Sequence, residues 1–351
     1  MYVRNALTAI LGFIAALAAS QASADDVADF YKRQRISLIV GNGTGGGYDV
    51  YARVLARYMS NYIPGNPGII VQNMPGAGGL RAANYIYNVA AKNGTVFGTF
   101  ARNMPLMGLI KSNQNVQFDP VKFIWLGSSS SFANDAYLLI VRRDTKVRSV
   151  DEARRLGGPP IILGSTAEGA SSDAIARLLR DWLGFNVKII SGYRDSGVLF
   201  LAIERGEVDG RTVDLSAVRS NRPDWLRPNG LTRVLAVFGR ANRHPDFPDA
   251  PTSRELARSA EDRNLIEILE IPYQLSRPFA APPGVPADRA KALQDAFLAA
   301  HKDPGYLADA EKLGIDVGPI GGKEILGLID RIAKTPLDQL KRIEQLVTEG
   351  G

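Results

Sequence analysis

A short apolar run, a glycine-rich loop and an amphipathic stretch follow one another near the start of the chain. Residues 36–40 are apolar except for Ser37, which predicts a buried strand. Glycine dominates residues 42–47, and apolar side chains then recur at helical spacing, among them Tyr48 and Leu55. The backbone amides of such a loop and of the first helical turn are open to an anionic group. A glycine-rich connection that binds nothing fits the same pattern equally well.

The same order of elements continues to residue 100. Short strands are predicted at residues 69–71 and 96–100. A second glycine-rich loop, residues 73–79, leads into a helix predicted over residues 80–90. This alternation of strands and helices is typical of a mostly parallel sheet with helices on both faces.

A second series of elements begins near residue 123. Strands are predicted at residues 123–127, 137–141, 161–163, 187–190, 211–213 and 231–238, and helices at 173–183 and 198–205. Small and hydroxyl side chains fill a third loop, residues 164–172. A proline-rich segment then precedes three predicted helices at residues 287–301, 306–313 and 323–347.

Two helix starts resemble each other. The pattern Asp-x-x-Ala-Arg followed by two aliphatic residues occurs after the first loop, from Asp49, and after the third loop, from Asp173. One interpretation is two similar lobes, each of which presents a helix N-terminus to a shared cleft. Because helix starts resemble one another in general, coincidence is the alternative.

Composition and charge narrow the class of protein. The chain has 351 residues, enough for two domains, with 45% hydrophobic and 22% charged residues, as in water-soluble globular proteins. The formal charge is +6, or +5 when it is counted from Asp25, and no block of Lys and Arg occurs, so nucleic acid is not an expected partner. The absence of cysteine excludes disulfides and thiol chemistry.

Residues 1–24 have the organisation of an export signal. Arg4 precedes an apolar run at residues 6–19, and Ala22-Ser23-Ala24 is a typical cleavage sequence. We therefore expect a signal peptide over residues 1–24 that is cleaved after Ala24, with a retained membrane anchor as the alternative. The apolar run is short for a membrane span.

The sequence shows no positive sign of a cofactor or of catalysis. Gly41, Gly43 and Gly46 match the spacing of the dinucleotide-binding fingerprint, but the next predicted strand ends in Gln72-Asn73, without a carboxylate for a ribose. No phosphate-binding P-loop and no G-x-S-x-G nucleophile elbow occurs. His244 and His301 lack metal-ligand spacing. We expect no catalytic residue, no metal and no cofactor.

Three loops rich in amides and small hydroxyls each follow a predicted strand: residues 43–49, 75–79 and 165–172. Because ligands of open α/β sheets lie beyond the carboxyl ends of the strands, we expect the three loops to gather at one edge. Such a cleft can bind a carboxylate through neutral donors. Arg102 and Arg211 are possible charged partners, although an Arg at a strand edge more often belongs to a structural ion pair.

Taken in order, these segments resemble the solute receptors of tripartite tricarboxylate transporters, also called Bug proteins. The resemblance spans nearly the whole chain after residue 24, and its most specific piece is Gln72 followed by Asn-Met-Pro-Gly-Ala-Gly-Gly over residues 73–79. The other matching pieces are Gly45-Gly46-Gly47-x-Asp49 with Arg53, Lys92-Asn93-Gly94-Thr95, Gly164-Ser165, Gly206-Glu207-Val208-Asp209, Pro251-Thr252-x-x-Glu255, Pro282-x-Gly284-x-Pro286, Asp303-Pro304 and Leu313-Gly314.

The resemblance implies an α/β fold of the two-lobed, type II periplasmic-binding-protein kind (a Venus flytrap), with a mixed, mostly parallel sheet in each lobe. We expect lobe 1 at residues 25–127 plus 239–351 and lobe 2 at residues 128–238. The crossings near residues 127–131 and 238–240 are expected to form the hinge on which the lobes close.

The resemblance also implies a periplasmic receptor, expected to be a monomer, that captures a small carboxylic acid and delivers it to the membrane permease subunits of a tripartite transporter. Backbone and hydroxyl groups of the loops bind the ligand in this family. Carried over to this chain, the ligand-binding residues are Thr44, Tyr48, Asp49, Ala77, Gly78, Gly79, Ser165, Thr166, Ser171 and Ser172.

The chain departs from the family pattern at Gly41-Asn42, at Gln72 and at Asp173, positions that bear on ligand choice. Two other functions fit the same cleft. One is an exported sensor that presents a bound carboxylate to a membrane partner, which genomic context would separate from a receptor. The other is an exported enzyme, which would need a positioned nucleophile and base.

Overall fold

The structure is a computed structural model that describes residues 26–110, 114–132, 135–155, 157–166 and 170–348. The predicted signal peptide, residues 1–24, and its cleavage site after Ala24 lie outside the described residues, as do residues 167–169 of the third loop. Within the described ranges, no helix is long and apolar enough to cross a lipid bilayer.

The described residues contain eleven strands in two sheets. The strands are β1 (Arg35–Val40), β2 (Gly68–Asn73), β3 (Val96–Thr99), β4 (Ile124–Ser128), β5 (Tyr137–Arg142), β6 (Ile161–Gly164), β7 (Val187–Ile190), β8 (Gly210–Asp214), β9 (Thr232–Phe238), β10 (Pro278–Ala281) and β11 (Ile320–Gly321). The first sheet has the order β11-β4-β10-β3-β1-β2, and the second has the order β7-β6-β8-β5-β9.

Both sheets are mixed, with one dominant strand direction. In the first sheet, β1 pairs in parallel with β2 and β3, whereas β10 and β11 run antiparallel to their neighbours. In the second, β6 is parallel to β7 and β8, and β5 is antiparallel to β8 and β9. This arrangement confirms the predicted α/β class with a mixed sheet in each half, in which most strands share one direction although parallel and antiparallel pairings are about equally frequent.

Fourteen helices cover the sheets in the described part of the chain. They are α1 (residues 26–31), α2 (Gly47–Met59), α3 (Leu80–Asn88), α4 (Met104–Ile110), α5 (Val150–Ala153), α6 (Ser171–Arg177), α7 (Ser196–Arg205), α8 (Leu215–Asn221), α9 (Ser253–Leu256), α10 (Ala260–Gln274), α11 (Ala287–Ala300), α12 (Pro304–Leu313), α13 (Gly322–Ala333) and α14 (Leu337–Thr348). The 3₁₀ turn Ala77–Gly79 leads directly into α3. The π-helical turn Leu178–Trp182 continues α6.

Strand β1 is buried on both faces, as its nearly continuous apolar run predicts. Ile36, Leu38 and Val40 belong to one core together with residues of α2 and α11. Ile39 faces the other way, into the core that holds Ala83 of α3. Because side chains alternate along a strand, an unbroken apolar run is what a strand between two helix layers requires.

The end of the chain forms two helices, so the prediction of one helix over residues 323–347 is wrong. Helix α13 ends at Ala333, and α14 begins at Leu337. Pro336 lies between them. It has no backbone N–H for a helical hydrogen bond, and its ring disfavours the helical conformation of Thr335.

The chain enters the second sheet after β4 and returns to the first after β9. Helix α14 packs against both α4 and α6, and α10 packs against α13 and α14. The C-terminal helices therefore lie beside elements of both halves, while the loops at the strand ends enclose a cleft.

Candidate ligand-binding site

A cavity of about 230 Å³ lies between segments that follow strands of the two sheets. On the side of the first sheet it is lined by Gly41, Asn42, Gly43, Gly46, Gly47, Tyr48, Pro75, Gly76, Ala77, Gly78, Gly79, Ala101, Arg102 and Arg277. On the side of the second sheet it is lined by Tyr137, Thr166, Ala170, Ser171, Ser172, Arg194, Asp195, Ser196, Arg211, Val213, Asp214 and Ala217. The three predicted loops therefore share one cavity.

The first loop is shaped by a buried carboxylate beneath it. Asp49 accepts hydrogen bonds from the Gly45 amide at 2.8 Å, from Nδ2 of Asn73 at 2.8 Å and from Nε of Arg53 at 2.9 Å. Burial alone would raise the pKa of Asp49, but these donors outweigh it and hold the pKa below its usual value. Asp49 thus fixes the backbone of the loop and does not line the cavity.

Three helices begin at the cavity without a side-chain cap. Their N-cap residues are Gly46 for α2, Gly79 for α3 and Ala170 for α6, and all three line the cavity. The first turn of a helix has amides without intrahelical partners, and the helix dipole makes this end partly positive. At α2 and α6 no side-chain oxygen competes for the first-turn amides, which suits an anionic ligand. At α3 the Leu80 amide already donates to the Ala77 carbonyl of the preceding 3₁₀ turn.

A buried ion triad connects the two sides of the cavity. Oδ1 of Asp214 accepts from Nη2 of Arg102 at 2.5 Å, and Oδ2 lies 3.1 Å from Nη2 of Arg277. Both arginines are 1% exposed. Burial would raise the pKa of Asp214, but the two guanidinium groups lower it, so the carboxylate is ionised.

Aromatic rings hold the two arginines of the triad in place. The guanidinium carbon of Arg102 lies 5.0 Å from the ring centre of Tyr273 and 5.5 Å from that of Tyr137. That of Arg277 lies 4.8 Å from the ring centre of Tyr48, whose hydroxyl oxygen accepts from the Arg102 amide at 3.0 Å. These contacts favour the cationic forms and fix their direction.

Arg211 is the third buried arginine of the cavity, and it has no carboxylate within 4.0 Å among the described residues. It is 3% exposed and lies over the ring of Phe200, 5.1 Å from the ring centre. Its hydrogen bonds go to the Thr212 carbonyl at 3.3 Å and to the carbonyl and hydroxyl oxygens of Ser196 at 3.4 and 3.3 Å. Burial lowers the pKa of Arg211 to about 10, so it is still charged at neutral pH.

Seven of the ten predicted ligand-binding residues line the cavity, and three do not. The seven are Tyr48, Ala77, Gly78, Gly79, Thr166, Ser171 and Ser172. Thr44 is exposed and donates to Oδ1 of Asn73 at 3.3 Å. Ser165 is buried, with its hydroxyl 3.0 Å from that of Ser172. Thr44, Asp49 and Ser165 therefore make hydrogen bonds within the loops without lining the cavity.

Sequence reasoning missed Asp214 and Arg277. The rule that ligands lie beyond strand ends was sufficient to find Asp214, because it is the last residue of β8. Arg277 precedes β10, and no glycine-rich loop beside it in the sequence indicates a binding site. Of the two arginines that the sequence offered, Arg102 is in an ion pair as expected for a strand edge, whereas Arg211 is not.

The two histidines lie away from the cavity. Nδ1 of His301 bonds the Phe297 carbonyl at 2.7 Å, and Nδ1 of His244 accepts from the Asp246 amide at 3.1 Å. In the described part of the chain, no group of His, Asp or Glu side chains is arranged to hold a metal ion.

Two mixed α/β sheets with a polar, amide-lined cavity between their strand ends define a solute-binding protein of the periplasmic type. The tripartite tricarboxylate transporter receptor family matches residues 51–348, and the chain belongs to that family. It is a family of substrate-binding receptors rather than of enzymes.

Relatives and solved structures agree with this assignment. A protein encoded in the gbd 5' region of Cupriavidus necator is 28% identical over 317 residues, covering 89% of this chain and 86% of that protein. BugT of Bordetella pertussis is 27% identical over 258 residues, covering 71% of this chain and 73% of BugT.

Two solved structures show the two-lobed fold. Periplasmic binding protein BugD has a TM-score of 0.68 at 19% identity, covering 90% of this chain and 99% of BugD. MatC from Rhodopseudomonas palustris, solved with bound malate, has a TM-score of 0.65 at 19% identity and covers 90% of this chain and 99% of MatC. The predicted fold class and family are confirmed.

Proposed function

We propose that this receptor captures a small carboxylic acid in the cavity between the two sheets and delivers it to the membrane permease subunits of a tripartite transporter. It works as a monomer in the periplasm, after removal of residues 1–24 by cleavage behind Ala24. The protein performs no chemistry on the acid and needs no metal or cofactor.

The observation that carries this proposal is the charge of the cavity. Three buried arginines, Arg102, Arg211 and Arg277, line it together with the carboxylate of Asp214, whose side chain is 14% exposed. A buried positive excess is costly unless an anion neutralises it. The uncapped starts of α2 and α6 add amide donors of the same polarity.

Two solved structures of the same fold contain carboxylic acids. The MatC structure holds malate, and a second Rhodopseudomonas palustris structure of the same fold holds adipate. Both are small acids without a phosphate or a sugar, which suits a cavity of about 230 Å³.

We assign the binding contacts with the ligand to the loops that line the cavity. The amides at Gly47, Tyr48, Ala77 and Gly78 bind one acid group, with Gly79 beside them, and Thr166, Ser171 and Ser172 contact it from the other side. Gly78 has a positive φ of +60°, and a Cβ built on it meets no atom within 4 Å, so the ligand can approach its backbone closely. Thr44, Asp49 and Ser165 support these loops.

Closure follows from the division into lobes. We place lobe 1 at residues 25–127 plus 239–351 and lobe 2 at 128–238, since each sheet draws its strands almost entirely from one of these parts. The hinge lies near residues 127–131 and 238–240, where Gly239 has a φ of +76°. Closure excludes water and strengthens each hydrogen bond to the acid.

A thermal-shift panel tests the proposal. The purified protein is melted with aliphatic, hydroxylated and aromatic mono- and dicarboxylates, each paired with its uncharged amide. An acid present at about 100 times its dissociation constant stabilises the folded protein by about 2.7 kcal/mol. We expect at least one acid to raise the melting temperature while its amide does not. If no acid in the panel shifts the melting temperature, the proposed ligand class is wrong.

A further inference from the structure

The helix starts at Asp49 and Asp173, which resemble each other in sequence, also make matching hydrogen bonds in the structure. We infer that Asp173 is a positioning residue for the ligand: it holds the cavity-lining start of α6 in place, as Asp49 holds the start of α2. This inference rests on the proposed function and adds to its site a residue that does not line the cavity.

Both carboxylates pair with an arginine one helical turn further on. Oδ2 of Asp49 accepts from Nε of Arg53 at 2.9 Å, and Oδ2 of Asp173 accepts from Nε of Arg177 at 2.7 Å. The side chains of the two aspartates are 2% and 0% exposed. Because an unpaired buried carboxylate is costly, each arginine allows its aspartate to lie beneath the loop rather than in solvent.

The other oxygen of each carboxylate reaches the end of the strand that follows the helix. Oδ1 of Asp49 accepts from Nδ2 of Asn73, the last residue of β2, at 2.8 Å. Oδ1 of Asp173 accepts from Oγ of Ser191, which follows β7, at 2.9 Å. Each aspartate therefore ties the start of its helix to the end of the next strand.

The two units that contain these bonds are built alike. Strand β1 is parallel to β2, and β6 is parallel to β7. The stretch from the last residue of the first strand to the aspartate has the same length in both units, residues 40–49 and 164–173. Agreement in strand pairing, in spacing and in both hydrogen bonds argues against coincidence as the cause of the sequence resemblance.

The two residues directly before each aspartate line the cavity. They are Gly47 and Tyr48 in the first unit and Ser171 and Ser172 in the second. Asp173 is the third residue of α6, so the loss of its bond to Ser191 loosens the turn that carries both serine hydroxyls. A binding group acts at full strength only when such supporting hydrogen bonds fix its place.

Isothermal titration with the best acid of the thermal-shift panel tests the inference. Asp173→Ala should weaken binding by about tenfold, which corresponds to the loss of one hydrogen bond to the ligand. Asp209→Ala is the matched control, because the Asp209 carboxylate accepts from the Ile162 amide at 2.7 Å in the same sheet but outside the cavity. Its affinity should stay within about twofold of the wild-type value.

Ser191→Ala is the milder variant, since it removes one hydrogen bond and keeps the pair of Asp173 with Arg177. It should weaken the acid by about threefold or more. Ser149→Ala, at another exposed serine of the same half outside the cavity, should leave the affinity unchanged. Circular dichroism and melting curves confirm that each variant is folded, and if Asp173→Ala is not, Ser191→Ala replaces it in all measurements.

A double-mutant cycle shows whether Asp173 acts through the two serines. The affinity loss from Asp173→Ala is measured in the wild type and in a variant that carries both Ser171→Ala and Ser172→Ala. A positioning residue loses its effect once the groups that it positions are gone, so most of the loss should disappear in the second background.

The outcomes separate this inference from the proposed function. If either Asp173→Ala or Ser191→Ala binds the acid as tightly as its control, the inference is overturned while the proposed function stands. An equal loss from Asp173→Ala in both backgrounds of the cycle has the same consequence. If no acid binds the wild-type protein, both are overturned.

Discussion

Nη2 of Arg102 and Oδ1 of Asp214 lie 2.5 Å apart, although Arg102 follows β3 in the first sheet and Asp214 ends β8 in the second. The other carboxylate oxygen faces Arg277, which precedes β10 of the first sheet. One side chain of the second half thus links two arginines of the first half across the cavity.

Asp214→Asn should destabilise the folded protein strongly. The change removes the carboxylate that Arg102 and Arg277 share and leaves both buried cations without their partner, at a cost of about 3–5 kcal/mol. Urea unfolding followed by circular dichroism measures the loss. Asp224→Asn is the control, because the Asp224 side chain is 72% exposed and its pair with Arg227 is worth at most about 1 kcal/mol. Equal losses in the two variants would show that the triad is not a stabilising link.

Arg211→Met should leave the ligand-free protein as stable as the wild type, or make it more stable. The change removes a buried positive charge that no carboxylate of the described structure offsets, and methionine fills part of the space with apolar atoms. Urea unfolding of both proteins without ligand measures the difference in their free energies of unfolding. A loss of about 2 kcal/mol or more would mean that Arg211 supports the fold rather than the ligand.

Gly78→Ala should weaken acid binding by at least about tenfold. The new methyl group enters open space at a position that lines the cavity, where we place the approach of the ligand. The φ of +60° also makes the variant less stable by about 1 kcal/mol. Titration with the best acid of the thermal-shift panel measures the affinity.

Gly157→Ala is the matched control for Gly78→Ala. Gly157 has a φ of +93° and open space around a built Cβ, but it lies before β6 and outside the cavity. It should show a similar loss of stability with unchanged affinity. If Gly78→Ala binds the acid as tightly as Gly157→Ala does, the second loop is not part of the site.

His301 should make the protein less stable as the pH falls from about 6.5 to 4. Burial lowers the pKa of His301 from 6.5 to about 4, so in this window the unfolded chain binds a proton that the folded chain does not. The loss reaches about 3 kcal/mol at the lower end. His301→Gln should show a shallower decline than the wild type over the same range.

The difference between the two proteins is the quantity to measure, because other groups titrate in this window. Burial raises the pKa of Asp135 to about 6, which gives a pH slope of the opposite sign. Urea unfolding at several pH values, for the wild type and for His301→Gln, isolates the histidine. Parallel stability curves would contradict the assignment.

The fold and the three loops could be predicted because their causes are local. The apolar run at β1 and the glycines after it define a strand, a loop and a helix within about twenty residues. The rule for strand ends then brings the loops together. The break at Pro336 was equally local, and the prediction of one final helix failed because the apolar spacing was followed through a proline.

The charge arrangement of the site could not be predicted because it depends on distant pairs. Arg102 and Asp214 are 112 residues apart in the chain. Arg102 follows the carboxyl end of β3, and Arg211 is the second residue of β8, so neither position indicates which arginine is paired. Arg211 and Asp214 are only three residues apart in β8 and line the same cavity, yet the carboxylate pairs with the two arginines of the first sheet. Which arginines form ion pairs with Asp214 is decided only when the two sheets pack together.

A crystal structure with the acid that binds most tightly tests the proposed grip most directly. We expect one acid group within hydrogen-bond distance of the amides at Gly47, Tyr48 and Gly78. An acid bound outside the cavity between the two sheets, or in that cavity without contact to any of these amides, would contradict the proposed grip.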